Sequence, residues 1–116
     1  MNMKQTSKLG EFGEKLAQEY LKQKAYVILH RNWRNKHAEI DLIAQDGEQI
    51  VFIEVKYRTK TSFGTPETFV SANKIRKMQE AASAYIEQFN WNGELRFDII
   101  AINNKNEIVH FEDAFY

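Results

Sequence analysis

Two neighbouring stretches restrict the fold of this chain more than any other: Ala38-Glu39-Ile40-Asp41-Leu42-Ile43-Ala44 and Gln49-Ile50-Val51-Phe52-Ile53-Glu54-Val55-Lys56-Tyr57. Both are rich in β-branched and aromatic residues, and the turn signal Asp46-Gly47 stands between them, which predicts an antiparallel hairpin. With Asp46-Gly47 as the tip, Gln45 faces Glu48, Asp41 faces Phe52, Glu39 faces Glu54 and His37 faces Lys56. Side chains alternate between the faces of a strand. One face therefore carries Ile40, Leu42, Ala44, Val51, Ile53, Val55 and Tyr57 and is almost wholly apolar. The other is apolar near the tip, with Ile43, Ile50 and Phe52, and charged beyond it, with Glu39, Asp41, Glu54, Lys56 and Arg58. Such a hairpin belongs to a sheet covered on both sides, so its charged end needs a chemical reason to sit there.

The flanking sequence supplies the covers. Leu9, Phe12, Leu16, Ala17, Tyr20 and Leu21 recur at helical spacing and predict a helix over Ser7–Lys24. A further strand is expected over Tyr26–Arg34, and Thr59–Glu67, with Gly64 and the single proline Pro66, reads as a loop. A second amphipathic helix is expected over Ser71–Asn90, followed by strands over Leu95–Ile102 and Glu107–Phe111. The order helix, three strands, helix, two strands predicts an α/β (α+β) fold with a mixed β-sheet flanked by helices. At 116 residues the chain suits one domain over 1–116. No stretch approaches the roughly 20 apolar residues of a membrane helix. Met1–Gly13 lacks the apolar run of a secretory signal, and with no cysteine there is neither a disulfide nor a thiolate metal site. A cytoplasmic location is the expectation, with no membrane partner.

The net charge is zero, which argues against a protein that coats nucleic acid through a uniform positive field. Positive residues are instead clustered, in Arg31–Lys36, Lys56–Lys60 and Lys74–Lys77, and the first two clusters flank the charged end of the hairpin. Phosphodiester hydrolysis would account for that end. A hard cation such as Mg²⁺ takes oxygen ligands, commonly one or two carboxylates with waters and phosphate oxygens. In the expected register Asp41 and Glu54 lie diagonally, with Cβ atoms about 7 Å apart or less, close enough to converge on one ion. The carbonyl of Val55 is a further candidate ligand. Lys56, on the same face as Glu54, could hold the attacking water or stabilise charge developing on the phosphate. Glu-x-Lys alone is common by chance; the weight lies in the alternation that brings the three groups to one end of one face.

The stretches Gly10-Glu11-Phe12-Gly13-Glu14, Arg31-Asn32-Trp33-Arg34, Glu39-Ile40-Asp41-Leu42-Ile43-Ala44 and Val51-Phe52-Ile53-Glu54-Val55-Lys56-Tyr57-Arg58 resemble the YraN family of small predicted endonucleases. Ala17, Tyr20-Leu21, Phe63-Gly64, Lys74 and Arg96-Phe97-Asp98-Ile99-Ile100 extend the likeness over nearly the whole chain. That family is similar to archaeal-type Holliday junction resolvases, within the restriction-endonuclease-like PD-(D/E)XK superfamily. The resemblance implies a restriction-endonuclease-like core, Mg²⁺ or Mn²⁺ dependence and a DNA substrate, branched or junction DNA among the candidates. It implies metal-binding roles for Asp41 and Glu54, a catalytic lysine in Lys56 and an accessory acid in Glu14. Glu14 also projects from the border of its helix's apolar stripe, and Gly10 and Gly13 are expected to let that helix approach the sheet. Ala38 stands where the family usually has glycine, and Ile40 stands in the place of the superfamily's proline.

Bland readings stand beside these. Glu54 and Lys56 could be an ordinary salt-bridged strand end, and Glu39 could be a third acid near the metal or a partner for Lys56, of which the partner role is the expectation. Arg31, Arg34, Arg58 and Lys74 are candidate nucleic-acid contacts, with Lys74 singled out by the family match. Trp33 and Phe63 could stack on bases, although core packing is the commoner role of such rings. His30 and His37 could touch phosphate or simply pack, and no histidine spacing suggests zinc. Trp91 is expected to pack, and Asp98 to bond Arg96 or a backbone amide. Two functions compete: a metal-dependent DNA endonuclease, for which a homodimer would suit paired cuts, and a non-catalytic nucleic-acid-binding module that keeps the nuclease fold.

Overall fold

The chain runs α1 (Met3–Gln23), β1 (Val27–Asn35), β2 (Ala38–Asp46), β3 (Gln49–Tyr57), α2 (Ala72–Phe89), β4 (Glu94–Ile102), β5 (Ile108–Phe115). The computed structural model describes residues 3–36, 38–58 and 70–115, with residues 3–9 as backbone alone. His37, Phe63 and the loop expected over Thr59–Glu67 lie outside the described residues. The five strands form one mixed sheet in the order β1-β2-β3-β4-β5. β3 and β4 are parallel and the other pairs antiparallel. A parallel pair needs a crossover, and α2 lies in it. This is the expected α+β architecture, a mixed sheet with a helix on each face, consistent with a restriction-endonuclease-like core. No helix among the described residues is long and apolar enough to cross a membrane.

Each helix buries its apolar stripe on its own face of the sheet. Ala17 and Leu21 of α1 pack on Leu42, Val51, Ile53 and Ile100. Met78, Ala81, Ala82 and Tyr85 of α2 pack on Ile43, Phe52 and Phe97, and the Tyr85 ring stands edge-on to Phe52 at 5.7 Å and to Trp33 at 5.3 Å. Burial of each large side chain here contributes about 1.5–3 kcal/mol. The ends of α2 are set by local chemistry: Ser71 Oγ accepts from the Lys74 amide at 3.1 Å, and Asn90 closes the helix in the left-handed region at φ 54°. Trp91 packs beside this core and donates its indole N–H to the Glu94 carbonyl.

The hairpin register differs from the expected one. Asp46 pairs with Gln49, Ile43 with Phe52 and Leu42 with Ile53, so the turn is Gly47-Glu48 and the second strand is displaced by two positions. Gly47 has φ +61° and takes the first turn position, where a side chain would be strained. Asp46 then remains in the strand, where its carboxylate meets Arg96 at 3.1 Å. A shift of two keeps every side chain on its face. The exception is Ile40, expected beside Leu42 and found in the opposite core with Ala38 and Ile43. Its displacement has a visible cause: β2 pairs with β1 from Ala38 to Gln45 but with β3 only from Leu42 to Asp46. At Asp41 the strand leaves β3, follows β1, and loses its alternation.

Three smaller expectations are also corrected. A Cβ on Gly10 would meet nothing within 4 Å and one on Gly13 would make ordinary contacts at 3.8–3.9 Å, so neither glycine is required for close packing. Glu39 pairs with Arg34 at 3.4 Å, not with Lys56, because β2 has peeled towards β1 at that point. β5 continues to Phe115, past the expected end at Phe111. The polar pair Glu112-Asp113 hides this extension in the sequence, but the Asp113 amide donates to Asp98 at 3.0 Å, which ties the late segment to β4.

Candidate active site

The divergence of β2 from β3 opens the site. Beyond Leu42 and Ile53, the last pair of that ladder, the Val55 amide points into the gap and donates to Asp41 Oδ2 at 2.8 Å. In an extended strand the N–H and C=O of one residue point the same way, so the Val55 carbonyl faces the gap too. β1 bends at the same level: Asn32, between the pairs Arg31–Leu42 and Trp33–Ile40, lies opposite Asp41 and takes φ 50°. Asparagine tolerates that left-handed conformation better than most residues.

Four elements converge on the resulting cleft of about 280 Å³, whose charged lining is Glu14 of α1, Glu39 and Asp41 of β2, Glu54 and Lys56 of β3, and Lys74 of α2. Glu54 is 3% exposed. Its Oε2 meets Lys56 Nζ at 3.3 Å and Lys74 Nζ at 3.8 Å, whereas its Oε1 is buried with no hydrogen-bond partner among the described residues. Burial, followed by the charge of Glu54 and the hydrogen bond that Asp41 can give it only when protonated, pushes Asp41 well above the usual carboxylate range, against the pull of the Val55 amide and Lys74. Burial and the Asp41 charge push Glu14 up to about 7, while a hydrogen bond with Asn32 and the charge of Arg31 act the other way.

This arrangement is short of positive charge. An orphaned carboxylate oxygen and two neighbouring acids that resist ionisation are what a divalent cation would relieve, and the donor set is all oxygen, as Mg²⁺ or Mn²⁺ prefers. Asp41, Glu54 and the Val55 carbonyl fit that group. Among the described residues no group of three or more His, Asp or Glu side chains is placed to hold a metal ion by itself.

The structure thus brings together Glu14, Asp41, Glu54, Val55, Lys56 and Lys74. Lys74, expected as a phosphate contact, leans on Glu54 from the first turn of α2. Arg31 is exposed on β1 near Glu14, and Arg34 is exposed and paired with Glu39 at the rim. The Arg58 amide donates to the Ile102 carbonyl at 2.7 Å, closing the end of β3. His30 packs against Tyr85 and Phe89 on the α2 face, away from the cleft. Asn32 went unread in the sequence; its one signal was an asparagine, a poor strand former, inside an otherwise extended segment.

A second buried polar cluster was only half foreseen. Arg96 makes a bidentate pair with Asp98, Nε–Oδ1 and Nη2–Oδ2 both at 2.9 Å, and also donates to Asp46, Gln49 and the Tyr26 hydroxyl. His110 Nε2 donates to Asp98 Oδ2 at 2.6 Å, and its Nδ1 lies 3.2 Å from the Tyr20 hydroxyl. Burial alone would raise Asp98, but the hydrogen bonds from His110, Arg96 and the Asp113 amide outweigh it and hold the carboxyl below its usual range. Burial pushes Tyr26 up to about 12 despite its bond with Arg96.

Comparison with known proteins bears on the whole chain. A UPF0102 protein of Flavobacterium psychrophilum is 44% identical over 117 residues, covering 98% of this chain and 98% of that protein. One from Thermodesulfovibrio yellowstonii is 48% identical over 108 residues, covering 93% and 96%. Among solved structures, Pyrococcus furiosus SfsA in complex with Ca²⁺ matches at 13% identity with a TM-score of 0.34, over 91% of this chain and 63% of that one, a likeness too distant to bear on fold or site. The model of the uncharacterised protein family UPF0102 matches residues 13–102, which hold Glu14, the Asp41–Glu54 cleft and the Arg96–Asp98 pair, and the chain belongs to that family.

Proposed function

We propose that this protein is a metal-dependent endonuclease of the PD-(D/E)XK type that hydrolyses DNA phosphodiester bonds. The observation that carries the reading is Oε1 of Glu54, buried and unpartnered among the described residues, beside Asp41 in the cleft. A native protein seldom leaves such an atom without a partner, and a bound cation would supply one. Mg²⁺ or Mn²⁺, when bound, supplies charge neutralisation of the phosphate and a water acidic enough to ionise near neutral pH. Asp41 and Glu54 would hold the ion, with the Val55 carbonyl beside them. Lys56, 3.3 Å from Glu54 and partly exposed, can turn its ammonium to the attacking water or to a non-bridging phosphate oxygen. Lys74 offsets part of the carboxylate charge from α2. Glu14, with its carboxyl raised to about 7, can hold or accept a proton at the mouth of the cleft.

The test is incubation of the purified protein with Mg²⁺ or Mn²⁺ on linear duplex, single-stranded, flapped and four-way-junction DNA, beside Asp41→Ala and Lys56→Ala. Cleavage of at least one substrate is expected, lowered about 10²–10³-fold or more by either substitution. Cleavage that survives both would remove the assigned centre. Binding without cleavage of any substrate would favour a nucleic-acid-binding module instead.

A further inference from the structure

The acidic cleft is one end of a longer depression. It shares Glu14 with an adjoining hollow of about 560 Å³ walled by Phe12, Lys15, Arg31 and Asn32. That hollow shares Gln18 and Arg31 with a third, of about 650 Å³, reaching Lys22 and Val27. The two hollows follow the seam between α1 and β1, an outer strand of the sheet, and the cleft adjoins their Glu14 end. Lys15, Gln18 and Lys22 stand at i, i+3 and i+7, a single stripe of α1 about 10 Å long. Arg31 supplies positive charge from the opposite wall. Two large apolar side chains lie open on the same line, Phe12 at 45% and Val27 at 58% exposure.

We propose that this seam holds a single DNA strand leading to the cleft, with Phe12 as a stacking platform for an unpaired base and Lys15, Lys22 and Arg31 as phosphate contacts. The proposal rests on the nuclease reading and narrows its substrate to DNA with an unpaired segment beside the bond that is cut. Charge complementarity and continuity with the cleft favour this occupant. Basic groups spaced along a groove track a sugar-phosphate backbone, and an exposed ring within it can stack only on a base that has left its pair. Glu11 and Glu14 lie at the cleft end of the seam, where a cation would offset them, and the basic residues extend away from it.

The experiment is fluorescence anisotropy with a labelled mixed-sequence single strand of about 20 nucleotides and with the matching blunt duplex, both in EDTA so that binding is read without cleavage. The single strand is expected to bind at least about tenfold more tightly than the duplex. Phe12→Ala should weaken single-strand binding about tenfold, in the range found for loss of one stacking platform. The pair Lys15→Gln and Lys22→Gln should weaken it and lower the salt slope by about two phosphate contacts. Lys105→Gln, in the turn before β5, should change nothing, and thermal melts check that each variant is folded. Equal or tighter duplex binding, or no effect of the Phe12 and lysine substitutions, would overturn the proposal. So would a self-association in sedimentation that Val27→Lys abolishes, since the edge of β1 would then be an interface between two copies. Single-strand binding without cleavage in Mn²⁺ would count against the nuclease reading alone. Cleavage without single-strand preference would count against the seam alone.

Discussion

Two buried clusters of charge lie on the same sheet and solve the problem of burying carboxylates in opposite ways. Around Asp98, both carboxylate oxygens receive donors from Arg96, His110 and the Asp113 amide, and the carboxyl is held below its usual range. Around Glu54, two lysines share one oxygen, the other has no partner among the described residues, and the neighbouring Asp41 is pushed upward. The first cluster is complete and joins β4 to β5, α1 and the start of β1. The second is incomplete and faces a cleft. On the proposed function, the contrast separates an acid that the fold uses for its own stability from acids that would meet a ligand.

If that distinction holds, the two clusters respond oppositely to loss of charge. Asp98→Asn leaves Arg96 with a poorer partner inside the fold and should cost about 3–5 kcal/mol, read as a lower denaturation midpoint with an unchanged m-value. A loss below about 1 kcal/mol would remove Asp98 from its structural role. Acid should expose the same difference. Because the folded pKa of Asp98 lies below the unfolded value near 3.9, its contribution is fully present above about pH 4. It is lost as pH falls through the lower folded value, while Arg96 stays charged throughout. Denaturant melts between pH 2.5 and 5 should show this decline in the native protein and a shallower one in Asp98→Asn. Identical slopes would contradict the assignment. The smallest effect is at Asp41, where Asn can still accept from the Val55 amide but carries no charge beside Glu54. In metal-free buffer near pH 8, Asp41→Asn should be more stable than the native protein by about 1 kcal/mol, the usual sign when a functional charge is neutralised. A clear destabilisation would mean that Asp41 serves the fold.

How much of this was legible beforehand follows from what kind of information each feature needs. The hairpin faces were readable because a strand has period two, and even a register shift of two residues left Asp41, Glu54 and Lys56 at the same end. The break at Asp41 was not readable. It depends on β2 having more to pair with on β1 than on β3, and on Asn32 taking a left-handed turn in the middle of a strand, which are properties of three strands together. The same break moved Ile40 to the other core and gave Glu39 to Arg34. Arg96 as the partner of Asp98 was local, two residues away on one face. His110 was not, because it reaches Asp98 only through the pairing of β4 with β5. Glu14 and Lys74 likewise needed both helices to be docked before their place beside Glu54 and Asp41 could be seen.

We propose that the incomplete cluster takes a divalent cation. Its most direct test is calorimetric or electron-paramagnetic titration of the metal-free protein with Mn²⁺, alongside Glu54→Gln and Asp98→Asn. A cation-binding cluster predicts a site in the native protein and in Asp98→Asn that is lost in Glu54→Gln. It also predicts a stabilisation of about 2.7 kcal/mol when free Mn²⁺ reaches about 100 times its dissociation constant. Absence of Mn²⁺ binding in the native protein, or equal binding by Glu54→Gln, would contradict it.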